Sequence, residues 1–217
     1  FCVVFFVLVP AAIYYVSYYH YGAAKGLTGI GAFFTKEYAQ IVLDNQTFMF
    51  TYHSGVTASH PYSSRWYQWV LDIRPILYYL DYGTDGTRRS FGAFVNPILC
   101  WAGLIALFGL GYEAAAKRDR RAAFILIGYL AQLLPWVFIT RITFEYHYFA
   151  CTVFLVLALG YVIALMRQWN PRWRVYAVGM AVLCVAMFIM FYPALSGMRV
   201  DNAAASRLLR WLPTWPF

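Results

Sequence analysis

Four apolar runs, each long enough to cross a bilayer, limit what this chain can fold into more than any other feature. They cover residues 94–112, 122–140, 147–166 and 174–192. A helix rises 1.5 Å per residue, so about 20 apolar residues span roughly 30 Å of hydrocarbon. Residues 1–16 form a fifth run, without an initiator Met or a basic segment before it, which indicates a truncated transmembrane helix and not a signal peptide. The runs predict an all-α polytopic membrane protein with one truncated and four complete spans.

The composition excludes a soluble domain. Hydrophobic residues make up 62% of the chain and charged residues 12%, whereas a soluble domain carries about a quarter charged residues. The net charge of +8 does not indicate a nucleic-acid partner, because the basic residues lie between apolar runs and not along one polar face. The four cysteines lie singly within apolar runs, so we expect neither disulfides nor a metal site.

The short loops predict the orientation. Residues 113–121 and 167–174 are rich in Lys and Arg, whereas residues 141–146 contain one Arg. The positive-inside rule places the two basic loops in the cytoplasm. Loop 17–93 and tail 193–217 then face the cell exterior, or the lumen if the membrane is that of a eukaryotic endoplasmic reticulum. We therefore expect a multi-pass membrane protein whose site faces outward.

The long outer loop contains a predicted helix with one apolar stripe, which begins after Thr35 as a plausible N-cap. This helix either lies on the membrane surface or packs against other external loops. Residues 83–90, GTDGTRRS, are turn-rich and are predicted to mark the return to the bilayer. The predicted regions are a truncated helix, an external loop with an interfacial helix, a four-helix region and an external tail, at 1–16, 17–93, 94–192 and 193–217.

Candidate chemistry lies at the outer face, since the spans hold almost no ionisable groups. Arg141 and His147, in TRITFEYHY, lie at the predicted membrane boundary. A cation there costs a few kcal/mol unless an anion meets it, and Arg binds two phosphate oxygens at once. Alternatively, Arg141 extends to the interface or pairs with Glu145, and His147 is a hydrogen-bonded boundary residue.

A second candidate is the charged, aromatic stretch HPYSSRWYQWVLDIRP at 60–75. Aromatic faces beside Arg and Asp hold sugars and extended peptides, but Trp and Tyr are also common at membrane interfaces. A substrate loop and a structural aromatic belt therefore remain alternatives. The residues with a candidate substrate role are His60, Tyr62, Ser63, Arg65, Trp66, Asp72 and Arg74.

From about residue 17 onward the chain resembles the C-terminal region of protein O-mannosyltransferases, polytopic transferases of the GT-C class. The motifs that carry the resemblance are HPYSSRWYQWVLDIRPILYY, NPILCW, LPWVFITRITFEYHYF and LRWLPTWPF, at spacings that also agree. The chain departs from the family pattern at Val70, Glu145 and Ala150, and Glu145 offers Arg141 an internal partner.

The resemblance implies transfer of mannose, with inversion, from a polyprenyl phosphate to Ser or Thr hydroxyls of secreted proteins. It implies no cofactor beyond this lipid-linked substrate. The family's base lies upstream, so no catalytic residue is assigned here and this region alone is expected to be inactive. The short outer loop, without room for a soluble inserted domain, favours a bacterial member.

The resemblance also suggests roles for the two candidate segments. The 60–75 segment would cover the cavity and orient mannose or peptide. The expected ligands of the donor phosphate are Arg141, His147, Tyr146 and Tyr148. Two alternatives remain open: another GT-C enzyme, such as one moving aminoarabinose to lipid A, and a transporter fragment.

Overall fold

The computed structural model describes all residues from 1 to 217, which form two compact units, Phe1–Thr57 and Ala58–Phe217. Five helices are long and apolar enough to cross a membrane. They are Val4–Ala23, Pro97–Ala116, Arg120–Phe138, Glu145–Trp169 and Pro171–Ser196. The predicted five spans are confirmed, with ends that move by a few residues.

The first unit contains the first span and the predicted outer-loop helix. Its elements are a π-helical turn Val4–Leu8, α1 Val9–Ser17, α2 Tyr19–Ala23, a 3-10 turn Ile30–Phe34 and α3 Lys36–Ser54. Thr35 caps α3 as predicted, because its hydroxyl accepts the Tyr38 N–H at 3.2 Å. Tyr38 and Val42 are buried, whereas Phe48 and Tyr52 on the same stripe are exposed. The interfacial position of α3 stays a prediction.

The second unit contains six α-helices, and the four longest of them lie in candidate membrane spans. Its helices are α4 Trp66–Val70, α5 Pro97–Ala116, α6 Arg120–Leu133, α7 Phe149–Trp169, α8 Arg174–Ser196 and α9 Asn202–Leu208. Small residues let α5 and α6 approach α7 closely. A Cβ at Gly103 would lie 2.8 Å from the Leu155 Cβ, and one at Gly128 would overlap the Phe154 ring. The apolar core of the bundle therefore depends on two glycines.

The helical membrane fold is confirmed, with the addition of a small antiparallel sheet that the sequence did not predict. Its strands are β1 Ile76–Tyr82, β2 Thr87–Ala93 and β3 Val200–Asp201, in the order β1-β2-β3. Residues 83–90 do not mark the return to the bilayer, because they close the β1–β2 hairpin and begin β2. Gly86 supplies the turn with a φ of +76°. The strands stabilise one another by pairing between distant residues, which apolar run length does not reveal.

The C-terminal tail, residues 197–217, packs onto this sheet. Trp215 and Phe217 are buried with Leu77, Phe94 and Phe191 in a second apolar cluster. The tail therefore packs against the hairpin and the end of α8. It also contacts the chain just before β1, because the Trp215 indole N–H donates to the Asp72 backbone carbonyl at 2.8 Å.

Candidate functional site

The structure brings together the two segments that the sequence offered as separate candidates. The Ser64 N–H donates to the Thr143 carbonyl at 2.9 Å, and the Thr143 hydroxyl donates to the Ser64 carbonyl at 2.6 Å. Both residues are buried. This reciprocal pair joins positions 79 residues apart, so segments 60–75 and 140–148 form one junction.

An aromatic stack fills the junction. Trp69, on α4, is fully buried, and its indole N–H donates to the Ser64 hydroxyl at 2.8 Å. Its ring lies parallel to the His147 imidazole, with centroids 5.8 Å apart. Trp136 contacts the same imidazole at 4.3 Å. His147 thus packs against two indoles that also contact each other at 5.8 Å between centroids, and its Nδ1 lies 2.8 Å from the Phe144 carbonyl.

The rim of the junction presents an exposed aromatic surface. His60 meets Phe144 edge to face at 5.1 Å, and Phe144 stacks on Tyr146 at 5.6 Å. Tyr146 lies over His147 at 4.4 Å and is 40% exposed. Such a surface has the flat apolar faces and polar edges on which sugar rings and peptides pack.

Arg141 has no acidic partner. Its guanidinium donates to the Ile142 carbonyl at 3.2 Å. The chain forms two ion pairs, Lys117–Glu113 and Arg199–Asp85, and Arg141 belongs to neither. The alternative in which Arg141 pairs with Glu145 is therefore wrong, because the Glu145 side chain is turned into the core.

The other two arginines of the candidate loop bond to backbone carbonyls. Arg65 is exposed and donates to the Thr140 carbonyl at 3.3 Å, which adds a second bond across the junction. Arg74 donates to the Pro61 carbonyl at 2.6 Å and draws the loop back on itself. No three His, Cys, Asp or Glu side chains lie together as metal ligands would.

Two residues with predicted roles, Tyr148 and Asp72, lie away from the rim, whereas Tyr62 and Ser63 adjoin His60. Tyr148 is fully buried, with its hydroxyl 2.8 Å from that of Tyr129. Asp72 is fully buried as well. Tyr62 packs against the tail cluster and Trp66 against the helix core. The backbone N–H of Ser63 donates to the His60 carbonyl at 3.0 Å. Tyr148 and Asp72 thus have no path to a ligand at the rim, and the roles of the others stay predictions.

Sequence reasoning missed the residues that build the junction. Ser64, Thr143 and Trp136 lie in the quoted motifs, yet nothing in their spacing predicts that they meet. Trp69 lies in the aromatic stretch 60–75, but its residue type alone does not distinguish it from the other aromatic residues there. The family resemblance is the one signal that associates these motifs.

Comparisons with known proteins match the residue ranges that contain these motifs. The family described as the C-terminal four-transmembrane region of protein O-mannosyltransferase matches residues 39–117 and 110–215. A Mycobacterium tuberculosis polyprenol-phosphate-mannose–protein mannosyltransferase is 30% identical over 188 residues, which are 76% of this chain and 35% of that protein. Protein O-mannosyltransferase 1 of Drosophila pseudoobscura is 28% identical over 210 residues, which are 81% of this chain and 22% of that protein.

A solved structure shares the fold. The S. cerevisiae protein O-mannosyltransferase Pmt1-Pmt2 complex, bound to the sugar donor, superposes with a TM-score of 0.68 at 19% identity, over 88% of this chain and 27% of that one. The chain thus spans about a third of the length of the bacterial relatives it matches. With most of its length matched by the family description and its helices by a solved fold, this chain belongs to the protein O-mannosyltransferase family and corresponds to its C-terminal four-span region.

Proposed function

We propose that this chain is the C-terminal membrane region of an enzyme that transfers mannose from a polyprenyl phosphate to Ser or Thr hydroxyls of secreted proteins, with inversion. The observation that carries the proposal is the junction of segments 60–75 and 140–148, which leaves Arg141 without an acidic partner beside an exposed aromatic rim. The names of the relatives favour a mannosyl donor over aminoarabinose, and the comparisons offer no support for a transporter.

The reaction is a single displacement. The acceptor oxygen bonds to the anomeric carbon while the bond from that carbon to the phosphate oxygen breaks. The electron pair goes to the phosphate, and the hydroxyl proton goes to a base that we assign to the upstream part of the enzyme. Arg141 meets the charge that develops on the phosphate, since fixed cations stabilise such a transition state.

His147 and Tyr146 supply further hydrogen-bond donors. The Phe144 N–H donates to His147 Nδ1 at 3.2 Å, which leaves the proton of the neutral ring on Nε2, where it can be donated to a ligand. The aromatic rim orients the sugar or the acceptor peptide and excludes water, which would otherwise hydrolyse the donor. In this proposal the junction faces the outside of the cell or the lumen, where secreted acceptors are found.

The test is Arg141→Ala in the full-length enzyme. We expect turnover of a Ser/Thr peptide to fall about 100-fold, with a smaller change in donor affinity, because the contact strengthens as charge develops. Arg141→Lys should recover part of the loss, since a point charge replaces a two-pronged donor.

Arg167→Ala is the matched control. It lies near the other end of α7, roughly 30 Å along a helix that rises 1.5 Å per residue, and should leave turnover unchanged. Near-normal turnover per folded molecule in Arg141→Ala would contradict the proposed role, and an equal loss in both variants would reduce it to a general effect of charge.

A further inference from the structure

Asp72 and Glu145 are two buried carboxyl groups that the proposed transfer does not use. Both side chains are 0% exposed. They lie against each other beside the Val95 backbone N–H, which favours the charged form of each, and none of their four oxygen atoms has a partner at full hydrogen-bond geometry. One belongs to the 60–75 segment and the other to the 140–148 segment, so the contact crosses the junction.

Two ionised carboxylates cannot rest together in such a place without compensation. Burial of one isolated charge is already very costly, and a second like charge in contact adds repulsion. No Lys, Arg or His forms an ion pair with either group. The Cys100 thiol of α5 is the other titratable group beside them. The tail contributes the indole N–H of Trp215, which donates to the backbone carbonyl of Asp72 at 2.8 Å and not to its side chain.

A single proton removes both difficulties. A protonated carboxyl supplies the donor that the four oxygens lack, and an O–H···O⁻ bond is among the strongest hydrogen bonds in proteins. The pair then carries one negative charge instead of two. Because both side chains are closed to solvent, a cation from another part of the enzyme cannot replace the proton unless the junction opens.

We propose that Asp72 and Glu145 hold one proton between them, and that this carboxyl–carboxylate hydrogen bond is a positioning element that fastens the 60–75 segment to the 140–148 segment. Its effect on mannosyl transfer rests on the proposed function. The shared proton itself does not, because it follows from burial and contact alone.

The proposal predicts a direction of pH dependence. Burial raises the pKa of Asp72 to about 6. A carboxyl whose pKa is raised on folding contributes stability that is full below its unfolded value, about 3.9, and is lost as the pH rises through the folded value. The stability that Asp72 contributes should therefore fall as the pH rises from about 4 to about 6 and stay level above, where the pair has lost one of two protons and keeps the shared one.

Asp72→Asn and Glu145→Gln are the informative variants. Each replaces the shared proton with a permanent amide donor and keeps the single negative charge on the partner. Asn also tolerates the left-handed backbone at Asp72, whose φ is 55°. Asp85→Asn is the control, because Asp85 is an exposed carboxylate whose pKa hydrogen bonds to Thr87 hold below its usual range.

The measurement is the melting temperature of the full-length enzyme in detergent at several pH values. For the wild type and Asp85→Asn we expect a fall of roughly 2–3 °C between about pH 4 and about pH 7. For Asp72→Asn and Glu145→Gln we expect less than about a third of that fall. An unchanged fall in both single variants would overturn the proposal.

Infrared spectroscopy of the wild type tests the proton directly, whether or not the variants fold. The carbonyl stretch of a protonated carboxyl should persist at about pH 8, where exposed carboxyls are ionised, and be absent from Asp72→Asn. Absence of the band at every pH would overturn the proposal. Neither measurement uses mannosyl transfer, so failure here leaves the proposed function standing, and loss of the proposed function leaves the shared proton testable.

Discussion

At the beginning of α7, Trp69 is fully buried against His147, and hydrogen bonds tie the chain to a segment 79 residues away. At the end of the same helix, Trp169 is 73% exposed, and the neighbouring Arg167 and Arg172 form no ion pair. Both ends combine arginine with tryptophan, as membrane boundaries commonly do. Only one end is closed by a second segment of chain.

The difference teaches that residue type alone does not separate an anchor from a site. Exposed indoles and guanidinium groups at a bilayer boundary stabilise the position of a protein in the membrane, and here Trp169 has only the Lys117 ammonium over its ring, 5.9 Å from the centroid. At the other end, packing between Ser64 and Thr143 fixes Trp69, Trp69 fixes His147, and Arg141 is left beside a shaped surface. A substitution at the beginning of α7 should therefore disturb the neighbouring residues of the junction, whereas a substitution at the end of α7 should have only a local effect.

Tryptophan truncation gives the largest expected contrast. Trp69→Ala removes a fully buried indole and should lower the free energy of unfolding by about 3–5 kcal/mol. Trp169→Ala removes a mostly exposed one and should change it by less than about 0.5 kcal/mol. Denaturant or thermal unfolding in detergent would measure both, and equal losses would abolish the distinction between the two ends.

A second contrast concerns single hydrogen bonds. Thr143→Val keeps the side-chain shape but leaves the buried Ser64 carbonyl without its hydroxyl donor, at a cost of about 1–3 kcal/mol. Asn170→Ala removes an exposed cap that accepts the Arg172 N–H at 2.9 Å, at a cost of about 0.5 kcal/mol. A costlier Asn170 variant would mean that the basic loop is more tightly built than its exposure indicates.

The smallest expected effect tests whether the exposure of a contact, and not its place in the chain, determines how much it contributes to stability. Arg199 and Asp85 form an exposed ion pair at 3.5 Å in the part of the chain that carries the hairpin and tail. Arg199→Met should leave the melting temperature unchanged within error, because exposed pairs contribute little. A clear loss of stability would show that the hairpin depends on this pair.

The sequence predicted the spans well because a bilayer imposes one strong, local requirement on about 20 consecutive residues. It failed at Ile76–Tyr82, where an apolar aromatic run becomes a strand only through pairing with Thr87–Ala93. It also failed at Tyr148, which lies one residue after His147 but points to Tyr129 in the core. Strand pairing and helix rotation depend on distant partners.

The candidate site shows the same limit. Arg141 and His147 were identified because ionisable residues are rare near an apolar span. The contact of Asp72 with Glu145 was not, since 73 positions separate them and each alone resembles an ordinary polar residue. Sequence reasoning therefore identified the two segments and the family, and the structure added how they close.

The intrinsic fluorescence of the Trp69 indole can also report on the junction. Among the eight tryptophans of the chain it is fully buried in contact with an imidazole, which quenches indole emission when it is protonated. Emission from a protein with Trp69→Phe, subtracted from that of the wild type, would isolate the signal of this one ring. A shift of that difference spectrum to longer wavelength on addition of a donor lipid would report, without any label, that the two segments had parted to admit it.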